Sequence, residues 1–433
     1  MVSVSPDVRQ GRPRPSTSYR WTVLIFISLA MFGNYYVYDC IGPLADLLAK
    51  QLHFSDSNIG LLQAIYSIPN VFMVLIGGYI VDRIGTRKAI FLFGSICLIG
   101  SMVTALSPSL AVMASGRLIF GLGAESLIVA VTTATAKWFR GKELSFAFGV
   151  NLMIARFGTW LAQNSPTWAS SAYSNWRNPL LISIGFATFC VTGAIVYWIM
   201  EAYAEKNFEV GQQGSTDKVV FSDIFKFGLS YWYIVALCIV FYSGIFPFET
   251  FAIKFFIEAH GTSRQLGGFL VSILTASTMF GTPLFGWFVD KLGKRALLMM
   301  LGSSLLIPVY LMMGYTHISL YVPMAMMGIA FSLIPAVMWP SVAYIVEQNK
   351  LGTAYGLMTM IQNIGLAGFN LLVGWANDYS HAGPQNPAGY HLGMWIFSIL
   401  GFLGVLFSFL LRHRETGPHG HGLESITTST AVA

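Results

Sequence analysis

The sequence is dominated by long apolar segments, each bounded by charged or turn-forming residues. Twelve of them are close to the length of about 20 residues with which a helix crosses the hydrocarbon core of a bilayer. Backbone N–H and C=O groups cannot bond to lipid, so each segment must satisfy those groups within its own helix. The predicted fold class is therefore an all-α membrane protein with twelve transmembrane helices. The segments fall at 20–46, 57–81, 89–106, 108–136, 144–168, 179–200, 228–257, 266–289, 296–314, 317–345, 352–376 and 389–411.

The composition excludes an ordinary soluble protein. Charged residues make up only 10% of the chain and hydrophobic residues 55%, whereas soluble chains carry roughly 25% charged residues. The net charge of +6 does not indicate a nucleic-acid partner, because the basic residues flank apolar segments instead of forming a polar stripe. We predict a lipid bilayer and a small-molecule substrate as partners, and no nucleic acid.

A polar stretch after the sixth segment divides the chain into two halves of six helices. It contains the sequences GQQGS and DK, which are typical of a flexible linker. The predicted organisation is a cytoplasmic tail at 1–19, a six-helix bundle at 20–200, a cytoplasmic linker at 201–227, a second bundle at 228–411 and a cytoplasmic tail at 412–433.

The basic residues also predict the orientation in the membrane. With the N-terminus in the cytoplasm, nineteen of the 25 Lys and Arg residues lie on the cytoplasmic side and three, Lys50, Arg177 and Arg264, on the other. Cytoplasmic loops are enriched in Lys and Arg, so both termini are predicted to be cytoplasmic.

One loop motif occurs in each half at the same position. GYIVDRIGTRK at 78–88 follows the second segment, and GWFVDKLGKR at 286–295 follows the eighth. Each predicts a tight glycine turn whose cations stay at the membrane surface, while the Asp can cap a helix or pair with an Arg. The residues predicted to act in gating or in this structural motif are Asp82, Arg83, Gly85, Arg87, Asp290, Lys291 and Gly293.

These features resemble the major facilitator superfamily over nearly the whole chain. Arg117-Leu-Ile-Phe-Gly121-Leu-Gly123, in the fourth segment, is similar to the R-x-x-x-G-x-G helix motif of that superfamily. The resemblance implies a secondary transporter whose two pseudo-symmetric bundles expose a central site to each side of the membrane in turn. It also places Arg117 among the gating or structural residues.

Further stretches resemble the lysosomal dipeptide carriers within that superfamily. This resemblance implies dipeptides as substrates, facilitated transport, an accessory membrane subunit, and Glu125 and Arg156 as ligand-binding residues. It implies a lysosomal membrane as the location, or the cell (inner) membrane for a bacterial relative. The stretches include YSIPN at 66–70, GRLIFGLGAESL at 116–127, ARFG at 155–158, FPF at 246–248 and LGTAYG at 351–356.

Six ionisable residues fall inside the predicted helices. A charged side chain there costs ~2.5–3.5 kcal/mol on insertion scales, so each is expected to have a partner or to face a wet cavity. Three acids and three bases sum to zero, which suits a zwitterionic solute. The six are Asp39, Glu125, Glu249, Arg117, Arg156 and Lys254.

Glu125 and Arg156 lie nearest the middle of their segments, the fourth and the fifth. One interpretation is a structural ion pair between adjacent helices. The other is a binding pair, in which Glu125 meets an ammonium group and the planar guanidinium of Arg156 holds a carboxylate. A central charged pair in hydrocarbon favours the second interpretation. A Glu near an Arg can also exchange protons, so proton-linked transport is an alternative.

Of the other four charged residues, Arg117 and Asp39 keep two interpretations each. Arg117 either pairs structurally or tunes the proton affinity of Glu125, which lies eight residues later on the same helix face. Asp39 binds substrate, or caps a helix or forms an outer gate. Glu249 follows Pro247, which interrupts a helix near an expected gate, and is predicted to bind substrate. Lys254 is expected to extend to the membrane interface.

Neutral polar and aromatic residues complete the predicted substrate site. Gln63, Tyr66 and Asn70 share one face of the second helix, and Trp339 lies between two prolines of the tenth. Each can equally form an interhelical hydrogen bond or pack in the core. The predicted binding residues of this kind are Gln63, Tyr66, Asn70, Tyr242, Trp339 and Asn363, with Asn151 and Gln362 as further candidates.

An enzyme is not predicted. The eight His residues lie in loops, tails or near segment ends, and the four Cys lack CxxC spacing, so neither a His-based triad nor a metal site is indicated. No phosphate-binding GxxxxGK[ST] loop occurs, and no cofactor is predicted. The predicted function is secondary transport of a small zwitterion, most simply a dipeptide. The alternatives are an organic-anion or dicarboxylate carrier that uses Arg156, Arg117 and Lys254 together, and a non-transporting membrane receptor or scaffold.

Overall fold

The computed structural model describes residues 13–139, 143–209, 226–418 and 420–427. Most of the predicted linker (210–225) and the outer parts of the predicted tails (1–12 and 428–433) lie outside the described residues.

The described residues form twelve helices of 20 or more residues, which confirms the predicted fold class. The N-terminal half contains α1 (Thr17–Asp39), α2 (Ala45–Leu52), α3 (Asp56–Ile84), α4 (Thr86–Leu106), α5 (Leu110–Phe139), α6 (Leu144–Gln163), α7 (Ser165–Trp168) and α8 (Arg177–Asn207). The C-terminal half contains α9 (Leu229–His260), α10 (Arg264–Leu292), α11 (Arg295–Tyr315), α12 (Tyr321–Ile345), α13 (Leu351–Tyr379) and α14 (His391–Glu415).

Within the described part of the chain, eleven helices are long and apolar enough to cross a membrane by composition alone. Helix α6 is the twelfth long helix, and its 20 residues cover about 30 Å. It carries Asn151, Arg156 and Gln163, which lower its mean hydropathy. Helix α6 thus supplies the predicted binding residue Arg156 and the further candidate Asn151.

Several helix ends differ from the predicted ones. The first predicted segment, 20–46, is broken after Asp39, because the chain turns at Gly42–Leu44 around Pro43 before α2 begins. Helix α8 continues to Asn207, so the polar start of the predicted linker is helical. Helix α14 likewise continues to Glu415, beyond the predicted end at 411.

The helices pack as two bundles, one from each half of the chain. Helices α1, α3, α4, α5, α6 and α8 contact one another, and α9–α14 do the same. Between the bundles, the principal contacts join α3 to α13 and α6 to α10. Because the long helices cross in alternating directions, the start of α1 and the end of α14 lie on one side of the bundles, called here the terminal side. The other side is called the opposite side.

Small residues bring the two bundles close together on the opposite side. A Cβ atom at Gly60 of α3 would lie 2.3 Å from the carbonyl oxygen of Asn370 of α13. Gly374 and Gly268 would place a Cβ 2.4 Å from the carbonyl oxygens of Asp56 and Gln163, respectively. Glycine is required at such positions because the backbone of the neighbouring helix occupies the side-chain space.

The two copies of the loop motif share a glycine with positive φ and the same backbone hydrogen bond. Gly85 and Gly293 adopt φ values of +83° and +66°, and their N–H groups bond to the carbonyl oxygens of Val81 and Val289 at 2.9 and 2.8 Å. Glycine occupies this left-handed region without the steric penalty of a Cβ. The predicted tight turns are therefore present.

The charged residues of the two motif copies have different partners. Arg87 pairs with Glu205 at 3.0 Å, whereas Asp290 pairs with the buried Arg295 at 2.8 Å. The ammonium group of Lys291 lies 3.9 Å from the centre of the Trp287 ring. Asp82 and Arg83 end α3 on the terminal side.

Candidate functional site

A central cavity of about 160 Å³ lies between the two bundles. Helices α1, α3, α5 and α6 form one wall, and α9 and α13 form the other. The lining residues are Asn34, Tyr35, Tyr38, Asp39, Tyr66, Glu125, Ile128, Arg156, Tyr242, Phe246, Thr359, Gln362, Asn363 and Leu366. Six of the ten predicted binding residues line this cavity, namely Asp39, Tyr66, Glu125, Arg156, Tyr242 and Asn363.

Glu125 presents a half-buried carboxylate to the central cavity from α5. Gly121, one turn earlier, allows α5 to approach α3 closely, since a Cβ there would lie 2.4 Å from the carbonyl oxygen of Tyr66. Glu125 forms no hydrogen bond or ion pair with another described residue. The carboxylate is therefore available to a ligand.

Arg156 lies across the cavity between aromatic rings of both bundles. Its guanidinium carbon is 5.6 Å from the centre of the Tyr35 ring and 5.7 Å from that of Phe331, on α12. These cation–π contacts hold the planar group without using its N–H donors. Among the described residues it has no carboxylate within ion-pair distance, so Glu125 and Arg156 do not form the structural ion pair that was one interpretation of them.

Asp39 and Glu249 border a second, much smaller space of about 10 Å³, with room for about one water molecule. Tyr38, Asp39 and Phe246 line both spaces, so the small one adjoins the central cavity. The Thr159 hydroxyl donates to Asp39 at 2.6 Å, and the Gln163 amide donates to Glu249 at 3.3 Å. Two carboxylates from opposite bundles therefore meet beside the central cavity.

Gln163 connects the bundles at this point and was not among the predicted residues. It lies at the end of α6, and its amide oxygen accepts from the Thr275 hydroxyl of α10 at 2.7 Å. Its amide nitrogen donates to Glu249 of α9. One side chain of the N-terminal half is thus bonded to two helices of the C-terminal half.

Arg117 has a structural role in this conformation. Its guanidinium donates to the carbonyl oxygens of Val37 at 2.9 Å, Tyr38 at 3.2 Å and Leu62 at 3.3 Å, and to the amide oxygen of Gln63. The side chain is 1% exposed and does not line the cavity. A cation among the last carbonyls of α1 also interacts favourably with the helix dipole.

Replacing Arg117 by Met is expected to destabilise the protein. The carbonyl oxygens at the end of α1 would lose their donors inside the bundle, at a cost of about 2–4 kcal/mol. The apparent melting temperature of the purified protein in detergent should fall. A variant with unchanged melting temperature but lost substrate binding would contradict the structural role.

The neutral candidates divide into residues of the wall and residues behind it. Tyr66, Tyr242 and Asn363 line the central cavity, and Gln63 lines the small space. Asn70 is fully buried and lines neither. Trp339 lies behind the wall as well.

Two of these residues support the cavity wall through hydrogen bonds. The indole N–H of Trp339 donates to the Tyr242 hydroxyl at 2.9 Å, so it fixes the ring that does line the cavity. Asn151, a further candidate, donates to the Ser28 hydroxyl at 2.8 Å and forms the interhelical bond that was its alternative interpretation.

Sequence reasoning missed several residues of the wall. Asn34, Thr359 and Phe246 line the central cavity beside the charged groups. Thr359 lies one helical turn before the candidate Asn363 in α13, and this spacing of four residues was the available signal for it. Asn34 lies five residues before Asp39 in α1, which is not the spacing of one helix face, so the pattern did not mark it.

Lys254 does not extend to the membrane interface as expected. Its ammonium group is buried on the opposite side of the protein, 2.6 Å from Asp56 and 3.3 Å from Glu258. The expectation failed because Asp56, the first residue of α3, is brought there by the packing of α3 against α13. Lys254 is therefore part of an ion cluster between the bundles.

A second ion pair joins the bundles on the same side. Arg264, at the start of α10, donates to the carboxylate of Asp46 of α2 from Nη2 at 2.5 Å and from Nε at 3.2 Å. The backbone N–H groups of Asp56 and Ser57 also donate to the carboxylate of Asp378, at 2.8 Å each. These contacts close the opposite side in this conformation.

The family model described as Major Facilitator Superfamily matches residues 27–370 and 250–430. The chain belongs to the Major Facilitator Superfamily. Membership makes it a multi-pass membrane transport protein with a small-molecule substrate, and not an enzyme.

Within the superfamily, the chain is similar to curated proteins of animals. It is 32% identical over 421 residues to the Lysosomal dipeptide transporter MFSD1 of Homo sapiens, covering 92% of this chain and 88% of that protein. It is 32% identical over 371 residues to the protein of the same name from Danio rerio, covering 82% and 80%.

Solved structures of the superfamily share the fold at low sequence identity. A bacterial homolog of the human lysosomal transporter Spinster, in an inward-facing and unoccupied conformation, has a TM-score of 0.73 and 17% identity, covering 92% of this chain and 98% of that one. The nucleoside transporter NupG has a TM-score of 0.73 and 15% identity, covering 91% and 99%.

Proposed function

We propose that this superfamily member carries dipeptides across its membrane by alternating access. The observation that supports this most directly is the pair of opposite charges, Glu125 and Arg156, on the wall of one cavity between the bundles, neither of which has an ion-pair partner within the described ranges. A zwitterion with an ammonium group at one end and a carboxylate at the other complements such a pair. The name of the animal relatives supports the same substrate class.

In the proposed docking, the amino terminus of the dipeptide meets Glu125 and its carboxylate meets Arg156. Asn363 of α13, with Gln362 and Thr359, offers hydrogen-bonding groups to the peptide unit from the other wall. The aromatic residues Tyr35, Tyr66 and Tyr242 surround the remaining volume. Because these rings contact side chains mainly through apolar area, the site would require both free termini of the substrate and would discriminate little between its side chains.

The dicarboxylate alternative is less well supported by the positions of the cations. It needs Arg117 and Lys254 to act with Arg156, but Arg117 is bonded to α1 and α3, and Lys254 to Asp56 and Glu258. Of these three cations, Arg156 is the one that lines the central cavity. A second substrate carboxylate would therefore face the carboxylates of Glu125 and Asp39 instead of a cation.

The proposed function is tested with dipeptides whose ends are blocked. In proteoliposomes we expect saturable uptake of a neutral dipeptide, and its loss by at least about tenfold when either the amino or the carboxyl terminus is blocked. The matched control is the equimolar mixture of the two free amino acids, which should compete weakly. Uptake of both blocked peptides at the rate of the free one would contradict the docking, and competition by a dicarboxylate alone would favour the organic-anion carrier.

The coupling and membrane context form part of the same proposal. We infer facilitated transport, with both termini in the cytoplasm as the excess of Lys and Arg on the terminal side predicts. An accessory membrane subunit and a lysosomal location follow from the resemblance to the dipeptide carriers. Uptake that is unchanged by an imposed pH gradient would support facilitated transport.

A further inference from the structure

The ion cluster on the opposite side combines residues of both bundles around one lysine. Lys254 of α9 is 2.6 Å from Asp56, which belongs to α3 of the N-terminal half. It is 3.3 Å from Glu258, which lies one turn later on α9 itself. The three charged side chains are at most 6% exposed, so water screens them little. Lys254 thus has one carboxylate partner across the interface and one on its own helix, and it also donates to the Tyr390 hydroxyl at 3.3 Å.

The two carboxylates are held by separate sets of groups. Glu258 accepts from the Tyr390 hydroxyl at 2.5 Å, and Tyr390 precedes α14 in the same half. Asp56 accepts from the Asn377 amide at 2.9 Å, which also belongs to the C-terminal half. Separation of α3 from α9 and α13 would therefore break every contact of Asp56 in this cluster and none between Lys254, Glu258 and Tyr390.

This division matters for the alternating-access cycle. Breaking a buried ion pair so that one charge remains without a partner is strongly destabilising. If Asp56 were the only carboxylate near Lys254, opening of the opposite side would leave the lysine alone in a largely apolar helix. The i,i+4 arrangement of Lys254 and Glu258 lets the pair persist on α9 whatever the position of α3.

We propose that Lys254 pairs with both Asp56 and Glu258 when the opposite side is closed, and with Glu258 alone when it opens during transport. Asp56 then stabilises the closed opposite side, and Glu258 stabilises the open one. The two carboxylates therefore shift the same conformational equilibrium in opposite directions. The proposal goes beyond the proposed function, because it does not depend on the identity of the substrate.

Because removal of the two carboxylates is expected to shift the conformational equilibrium in opposite directions, the proposal can be tested without substrate. Spin labels are attached at Ser109→Cys and Ser319→Cys, two exposed positions at opposite-side ends of different bundles. The four native cysteines are buried and need not react. Pulsed electron paramagnetic resonance then measures the fraction of long distances between the labels. We expect Asp56→Asn to raise this open fraction by at least about fivefold, and Glu258→Gln to leave it at or below the wild-type level.

The exchange rate of the transporter supplies a second readout. With the opened state destabilised, Glu258→Gln should reduce substrate counterflow by at least about fivefold. Glu258→Asp keeps a carboxylate and should retain most of the rate. Glu347→Gln is the matched control, because Glu347 pairs with Lys350 at 2.8 Å on the exposed terminal side and should change neither readout.

If Glu258 only stabilises the closed state of the opposite side, a different result is expected. Glu258→Gln would then raise the open fraction as Asp56→Asn does, and that outcome overturns the proposal. Should Glu258→Gln fail to fold, Tyr390→Phe removes the hydroxyl that orients Glu258 and is expected to act in the same direction. An increased open fraction in Tyr390→Phe would likewise overturn it.

Discussion

Replacing Arg156 by Gln is expected to weaken dipeptide binding by about 2–4 kcal/mol, which is roughly 30- to 1,000-fold in affinity. The variant would leave the substrate carboxylate inside the cavity without its cation. Arg156→Lys keeps the charge but loses the planar fork, so an intermediate loss is expected. Glu125→Gln should produce a comparable loss for the ammonium group. Binding is measured from the dipeptide-induced rise in melting temperature of the purified protein.

The control for these variants is Lys206→Gln, which removes an exposed positive charge from the terminal-side end of α8. It should bind dipeptides as the wild type does. A receptor or scaffold would tolerate all three cavity substitutions with its function intact, so retention of wild-type uptake by Glu125→Gln and Arg156→Gln would contradict the proposed transport site.

The second large effect is expected from a single methyl group. Gly60→Ala would place its Cβ 2.3 Å from the carbonyl oxygen of Asn370, which is a severe steric clash. Both partners are backbone atoms of long helices, so α3 and α13 would have to move apart. We expect the closed opposite side to be lost and counterflow to fall by at least about tenfold, while the twelve helices still insert.

A glycine on the partner helix provides the matched control for this change. Gly368 of α13 has no atom within 4 Å of the position of an added Cβ, so Gly368→Ala should transport normally. The open fraction between the labels at Ser109 and Ser319 should rise in Gly60→Ala and not in Gly368→Ala. Wild-type counterflow by Gly60→Ala would mean that the close α3–α13 contact is not needed in the cycle.

The sequence was sufficient to predict the helices, because each one is imposed by a separate apolar segment of membrane-spanning length. It was also sufficient to single out Glu125 and Arg156, since an ionisable group in hydrocarbon must face the interior of a bundle. Their position on the cavity wall agrees with this argument, while their role in binding stays a prediction.

Contacts between residues that are far apart in the chain could not be predicted from the apolar segments. Asp56 lies one residue before an apolar segment and has the local pattern of a loop residue at a helix start. Its partners are 198 and 321 positions away in the chain, so only the packing of the bundles brings them together. Helical periodicity gave the direction of a side chain but not the boundary of the cavity. Gln63, Tyr66 and Asn70 share one face, yet only Tyr66 lines the central cavity.

The carboxylate of Asp378 has a consequence for the solvent as well as for the charges. In the closed conformation it occupies the two free backbone N–H groups at the start of α3, which a helix otherwise satisfies with its own cap or with water. When the bundles part, these amides and the carboxylate each need hydration at the same moment. The contact between α3 and α13 must therefore take up ordered water molecules in order to open. The equilibrium between the closed and the open state of the opposite side thus depends on the activity of water.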